Sequence, residues 1–212
     1  MDLTGKNENQ ITVDGVTYQL NLGYAVVLEV FRILADDGLS AQEHVELVTR
    51  LLVRGSASVA PAARDGLLQA IMDEKIDLAE NRLAASIFKA KGKAFDFDAD
   101  ASRIAASFMQ QYHIDLTNAR ERAKLSWAFF NALLDGLGPD TPFRQATAYR
   151  MMEIPKDATD EQRDHILKMK KLYSLKTSTA KPGSIEAQMI GLDRLQRIKL
   201  LARMKKEGDM NG

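Results

Sequence analysis

The sequence predicts a mainly α-helical fold: a helical domain with a small N-terminal β-hairpin and a C-terminal amphipathic helix. Three observations lead there. Alternating apolar residues flank Asp14-Gly15 near the start. After Asn21 the apolar residues recur at three- and four-residue steps, the spacing of helices rather than strands. Caps, prolines and glycines fall between those segments, where helices begin and end. A chain of 212 residues, 45% of them hydrophobic, is long enough to bury a sizeable core without metal or disulfide. The expected organisation is a mobile N-terminus over residues 1–10, a single helical domain over 11–175 with the hairpin at 11–21, and a linker with a basic helix over 176–212.

The hairpin rests on "ITVDGVTYQLNL". Ile11, Val13, Val16, Tyr18 and Leu20 alternate with polar residues, and Asp-Gly supplies the two positive φ angles of a tight type I′ turn. Such a hairpin is marginal alone and needs helices to pack on. Asn21 is placed to cap a first helix carrying Val26, Val27, Val30, Phe31 and Leu34 and ending near "DDG". Ser40 and Glu43 form a capping box for a second helix with Val45, Val48, Leu51 and Leu52 inward. "RGSASVAP" is a loop, and Pro61 suits the first position of a third helix. Leu67, Leu68, Ile71 and Met72 continue one pattern, and Ile76, Leu83, Ile87 and Phe88 another.

"KAKGKAFDFDAD" breaks the body. Asp98 or Asp100 is placed to cap the next helix, with Ile104, Phe108 and Tyr112 on one side, ending in "QYHIDL". Thr117 is a candidate cap for a helix holding Leu125, Trp127, Phe129, Phe130, Leu133 and Leu134, which stops at "DGLGPDTP". Thr141-Pro142 opens a short helix through Tyr149, and an acidic-to-basic helix follows Pro155, a polarity that suits the helix dipole. "TSTAKPG" is a linker. Beyond it Ile185, Met189, Leu192, Leu195, Ile198 and Leu201 line a basic amphipathic segment, a candidate partner-binding helix.

Charge is unevenly placed. Residues 1–165 carry 18 Lys and Arg against 25 Asp and Glu, a balance of −7, and residues 166–212 carry 11 against 4, a balance of +7. An acidic body with a basic tail suits docking on an acidic partner, nucleic-acid contact, or folding of the tail onto the body. No apolar run reaches the ~18–20 residues of a membrane span. The N-terminus has no apolar core of a signal peptide, so a soluble cytoplasmic protein is expected.

The chemistry-bearing residues point away from an enzyme. The absence of cysteine removes disulfides, thiolate nucleophiles and cysteine-ligated zinc. His44, His113 and His165 each have carboxylates nearby, yet no metal-ligand spacing occurs, and the first and last are expected on solvated helix faces. A hydrolytic reading of His113 with Asp115 lacks any nucleophile elbow. A helix joint explains that stretch more simply, with Tyr112 and Ile114 as buried anchors, Asp115 bonding amides ahead of the next helix, and His113 at the end of the preceding one. Phosphate-binding glycine motifs are missing. Trp127, Phe129 and Phe130 fall among leucines at helical spacing, which favours core over a base-stacking platform. No catalytic, cofactor-binding or metal site is assigned.

The order of pieces carries a resemblance. "FDFDADASRIAASFMQQYHIDL", then "LSWAFFNALLDGLGPDTPFRQATAYRMMEI", then "KMKKLYSL" resembles the gene-product-fifteen family of siphophage tail-gene clusters. The matching positions are Phe108, Gln111, Tyr112, Ile114, Asp115, Leu116, Trp127, Leu133, Leu134, Gly136, Leu137, Asp140, Thr141, Phe143, Tyr149 and Arg150, all read as structural. The hairpin is also similar, and the likeness covers most of residues 11–175. The pattern departs at His113, where the family more often has glycine, at Ser126-Trp127-Ala128 in place of His-Trp-Trp, and at "GLGPD" in place of "GLPED".

The resemblance implies a non-enzymatic tail assembly chaperone without cofactor. It would bind the tape measure protein of a long non-contractile tail in the host bacterial cytoplasm, hand it to tail tube protein, and be absent from the mature virion. Homo-oligomer formation stays open. The alternatives are a structural tail or head–tail connector protein kept in the particle, and a nucleic-acid-binding regulator using the basic tail, the latter disfavoured because no recognised motif occurs.

Overall fold

A computed structural model describes residues 9–77 and 94–175. The expectations for residues 1–8, for the Leu83–Phe88 pattern and for the basic segment with Ile185, Met189, Leu192, Leu195, Ile198 and Leu201 lie outside the described residues. The fold is mainly helical with an N-terminal antiparallel hairpin, as predicted. The described residues divide into two compact units, one holding residues 9–77 and 124–130, the other 94–123 and 131–175.

In the first unit, β1 (Gln10–Val13) pairs with β2 (Val16–Gln19), Ile11 opposite Tyr18 and Val13 opposite Val16. Asp14 (φ 50°) and Gly15 (φ 78°) both take the left-handed conformation that the Asp-Gly turn supplies. Only Ile11 of the paired strands is fully buried. The chain after β2 is anchored to the end of the second helix: the Asn21 amide donates to the Leu52 carbonyl at 2.8 Å, and the Arg54 amide to Gln19 at 2.9 Å.

Helix α1 (Tyr24–Leu34) buries Tyr24, Val27 and Val30. Asn21 is not its cap. Gly23 holds that position without a side-chain bond, because residues 22–24 run antiparallel against 125–127, with the Trp127 amide on Leu22 at 2.7 Å and the Tyr24 amide on Leu125 at 3.1 Å. Helix α2 (Ala41–Leu52) carries the expected capping box, in which Ser40 Oγ accepts from the Glu43 amide and the Glu43 carboxylate accepts from the Ser40 amide at 2.7 Å. The Ser40 hydroxyl also donates to the Glu43 carboxylate at 2.6 Å, and this bond, with that from the Ser40 amide, holds the Glu43 carboxyl below its ordinary value.

His44 corrects an expectation: it is buried, with its ring Nε2 3.0 Å from the Asp36 carbonyl, and fastens the turn between α1 and α2. Pro61 starts α3 (Pro61–Ile71), and a π-helical turn over Met72–Ile76 follows it. That turn presents the Ile76 carbonyl to the Trp127 indole Nε1, which donates at 2.9 Å.

In the second unit, α4 (Ala101–Tyr112) buries Ile104, Ser107 and Phe108. A single turn, α5 (Ala119–Arg122), is capped by the Asn118 side chain rather than by Thr117. The continuous helix expected from Thr117 breaks before Trp127, since residues 125–127 are engaged with 22–24. Helix α6 (Trp127–Asp135) has residues 127–130 in the first unit and 131–135 in the second.

Helix α7 (Pro142–Met151) begins at the expected Thr141-Pro142. Helix α8 (Asp160–Tyr173) starts later than the stretch after Pro155 suggested, because Thr159 and Gln162 form a capping box there. Against the expectation of a buried anchor, Tyr112 and Ile114 are each only partly buried.

Candidate functional site

The matching positions in the second unit converge on a buried polar cluster. Its centre is Asp100, fully buried at the start of α4. The expectation that Asp98 or Asp100 caps this helix fails: Asp100 holds the cap position but makes no side-chain cap bond. Its carboxylate instead takes two parallel bonds from the Arg150 guanidinium, Nη1 to Oδ2 and Nη2 to Oδ1, both 2.7 Å.

Arg103 adds a third bond to this carboxylate at 2.9 Å, and the Asp96 amide a fourth at 3.1 Å. Burial pushes the Asp100 carboxyl up, but the Arg150 bonds and charge, the Asp96 amide and Arg103 outweigh it and hold the group below its ordinary value. Arg150, whose side chain is 6% exposed, also donates to the carbonyls of Ala94 and Tyr173. Lys170 of α8 donates to the carbonyls of Arg150 and Met152 at 2.9 and 2.7 Å. The start of α4, the end of α7 and the end of α8 are thus tied at one point.

Aromatic rings surround it. Tyr149 stacks on Tyr173 with centroids 5.7 Å apart, and the Arg103 guanidinium lies 5.4 Å from the Tyr173 centroid. Phe143 is buried against Phe95, and its amide donates to Ser107 Oγ at 3.0 Å.

The other matching positions serve the turn after α6. Gln111 uses both ends of its amide: Nε2 donates to the Gly136 carbonyl at 3.0 Å, and Oε1 accepts from the Gly138 amide at 2.7 Å. Tyr112 donates its hydroxyl to the Leu133 carbonyl at 2.8 Å. A Cβ at Gly136 would stand 3.0 Å from that hydroxyl and 3.2 Å from the Ala132 carbonyl, so glycine is what lets the two segments approach. Buried Thr141 bonds the Gly138 carbonyl at 2.7 Å, while Asp140 is exposed.

"QYHIDL" is a helix terminus. His113 is left-handed (φ 55°), and its amide donates to the Met109 carbonyl at 3.1 Å, the bond of a left-handed helix cap, while the Ile114 amide reaches the Phe108 carbonyl at 3.4 Å. This conformation favours glycine, which accounts for the glycine the resemblance places there. Asp115 accepts from the Thr117 amide at 2.8 Å and its hydroxyl at 2.6 Å. Those two bonds, with the Asn118 amide and Arg122 nearby, hold its carboxyl below the ordinary value against a small opposing effect of burial. No hydrogen bond or ion pair joins His113 to Asp115 among the described residues.

Chemically the cluster binds backbone to backbone: its carboxylate, guanidinium, amide and hydroxyls each end on internal partners. Trp127 belongs to the first unit, with its ring centroid 5.5 Å from that of Phe31 and 6.1 Å from that of Phe130. Asp100, Arg103, Ser107 and Lys170 belong to the cluster but carried no signal of a partner in the sequence. Asp100, Arg103 and Ser107 recur at steps of three and four residues, which places three polar side chains in one row at the start of α4 beside the apolar Ile104 and Phe108. Among the described residues no group of His, Asp and Glu could hold a metal ion, and no helix is long and apolar enough to cross a membrane.

Comparison with known proteins agrees with the motifs. The model of a family described as Bacteriophage Gp15 protein matches residues 7–175. No curated protein and no solved structure matches the chain.

Proposed function

Because the chain belongs to the Bacteriophage Gp15 protein family, we propose that it is a non-enzymatic tail assembly chaperone that binds the tape measure protein. A tape measure protein is a very long helical chain with exposed apolar stripes, and the chaperone covers those stripes, delivers the chain to tail tube protein and departs. It acts in the host bacterial cytoplasm and is absent from the mature virion.

The observation that carries this reading is the inward use of the shared polar residues. Arg150, Gln111, Tyr112, Asp115 and Thr141 all bond backbone or a buried carboxylate, which is the work of a scaffold rather than of a reacting centre. Apolar side chains also remain uncovered in the second unit: Met109, Met152, Leu167 and Leu172 are 45%, 38%, 50% and 66% exposed. Such surface, with a basic amphipathic segment beyond it, suits helix-in-groove contact with apolar helix stripes.

The test is co-expression with the tape measure protein encoded by the same phage, followed by pull-down, with purified virions probed for this chain. The reading expects a soluble complex and a virion without the chaperone. An insoluble tape measure with no complex removes it, and this chain in the virion replaces it with a structural tail or connector role.

A further inference from the structure

Helix α8 packs on α7 through one side. Tyr173 stacks on Tyr149, the His165 ring centroid lies 6.4 Å from that of Tyr149, and Lys170 bonds the carbonyls of Arg150 and Met152. Ile166, Met169, Lys170 and Tyr173 are accordingly half-buried, and none of the 14 residues of the helix is fully buried. The side turned away from α7 carries Asp160, Asp164, Leu167 and Lys171. At about 100° per residue these four fall within about 60° of one another. All four are exposed, Leu167 by 50%.

We propose that this stripe is an interface between two copies of the chain, in which α8 pairs with α8 of a second copy, antiparallel about a twofold axis. The charge pattern carries the assignment. The stripe reads Asp, Asp, Leu, Lys at steps of four, three and four residues, a spacing that is the same in both directions. A twofold pairing therefore sets each of the four opposite another of the four. Asp160 faces the second copy's Lys171, and Asp164 stands beside the second copy's Leu167, each contact occurring twice. A parallel pairing would instead set Asp160 on Asp160 and Lys171 on Lys171.

The charges inside the chain leave this pairing open. Asp164 brings no bare charge to the leucine, because Lys168 of its own helix holds its carboxylate at 2.7 Å. Asp160 and Lys171 make no ion pair among the described residues, so each can take its opposite number in the second copy. On one flank of the stripe Glu161 meets the second copy's Lys168. These rim charges fix orientation more than they add affinity, while the two leucines exclude water at the centre. One pair of short helices belongs with small, reversible interfaces, for which a Kd of about 10–100 μM is expected. Met109 of α4 and Met152 after α7 take no part, so the pairing does not rest on the tape measure reading.

Sedimentation equilibrium of the full chain alone tests this. Wild type should pass from monomer to dimer across that concentration range. Asp160→Lys sets lysine against lysine, and Lys171→Asp sets aspartate against aspartate, so each variant by itself should dimerise about tenfold or more weakly. An equal mixture of the two should recover the dimer, because one chain then offers two lysines and the other two aspartates; a merely structural effect of either replacement would not be repaired by mixing. The chain has no cysteine, so single cysteines give a second readout. A short bis-maleimide should link Leu167→Cys into dimers, since the two sites are offset by only about 4.5 Å along the helix axes. Leu172→Cys, more exposed at 66%, should link far less, because its offset is about 20 Å. A chain that stays monomeric throughout overturns the proposal. So does a dimer that ignores the charge reversals, or one that links equally through the two cysteines, since either places the contact elsewhere.

Discussion

Replacing Asp100 with alanine removes the carboxylate that receives two bonds from Arg150, one from Arg103 and one from the Asp96 amide. It leaves a guanidinium that is 6% exposed without its counter-charge. Breaking one side of a buried, hydrogen-bonded pair costs about 3–5 kcal/mol, mainly because the remaining charge stays desolvated. Asp100 makes no cap bond for α4, so the loss reports on the pair rather than on helix capping.

For a chain of this size each kcal/mol corresponds to about 2–4 °C, so the melting transition that contains the second unit should fall by roughly 6–20 °C. Asp100→Leu combined with Arg150→Met removes both charges, and should cost at least about 2 kcal/mol less than the sum of the single replacements. The assay is thermal and urea denaturation of the wild type, Asp100→Ala, Asp100→Leu, Arg150→Met and the double replacement, followed by circular dichroism. A loss under about 1 kcal/mol for Asp100→Ala, the range of a surface pair, or simple additivity in the cycle, would refute the anchoring role.

The same cycle has a pH signature. The Asp100 carboxyl is held below its ordinary value in the folded chain, so the unfolded chain binds a proton first as pH falls. The pair contributes fully above the ordinary carboxyl value of about 3.9 and loses its contribution as pH drops through the lower folded value. Wild type should lose its advantage over Asp100→Ala only below about pH 4; an advantage that fades near neutrality would assign it to another group. His113→Gly should be neutral or stabilising by up to about 1 kcal/mol, since it relieves a left-handed non-glycine residue, and tape measure binding should persist. A destabilised or inactive variant would give the imidazole a role of its own. Thr159→Ala should cost about 1 kcal/mol and loosen amide protection in the first turn of α8, read by hydrogen exchange. Gln111→Leu should cost about 0.5–1.5 kcal/mol, because it removes the exposed bonds to the Gly136 carbonyl and Gly138 amide, which water then takes up, and chemical denaturation would measure it.

Much of the fold was readable where its cause is local. Asp14-Gly15 demanded a hairpin turn, Ser40 with Glu43 a helix start, and Pro61 and Pro142 first-turn positions, and each occurs as expected. The joint at "QYHIDL" was readable for the same reason, since its bonds run between neighbours in sequence. The candidate site was legible only in fragments. The acidic start near Asp100 and the Tyr149-Arg150 pair both stood out as motifs, but fifty residues separate Asp100 from Arg150 and no periodicity connects them.

Composition and short-range pattern thus establish a helical protein with one hairpin, the starts of α2, α3 and α7, and an acidic body with a basic tail. They do so because capping, turn geometry and amphipathic spacing act within a few residues. Long-range contact settles the rest. Residues 125 and 126 leave the helix their sequence favours because 22–24 offer backbone partners, and Gly23 rather than Asn21 caps α1 for the same reason. His44 is buried because the Asp36 carbonyl meets its ring, and Asp100 forgoes capping for an ion pair with Arg150. In each case a bond available only after collapse outweighs a local preference of about 1 kcal/mol or less.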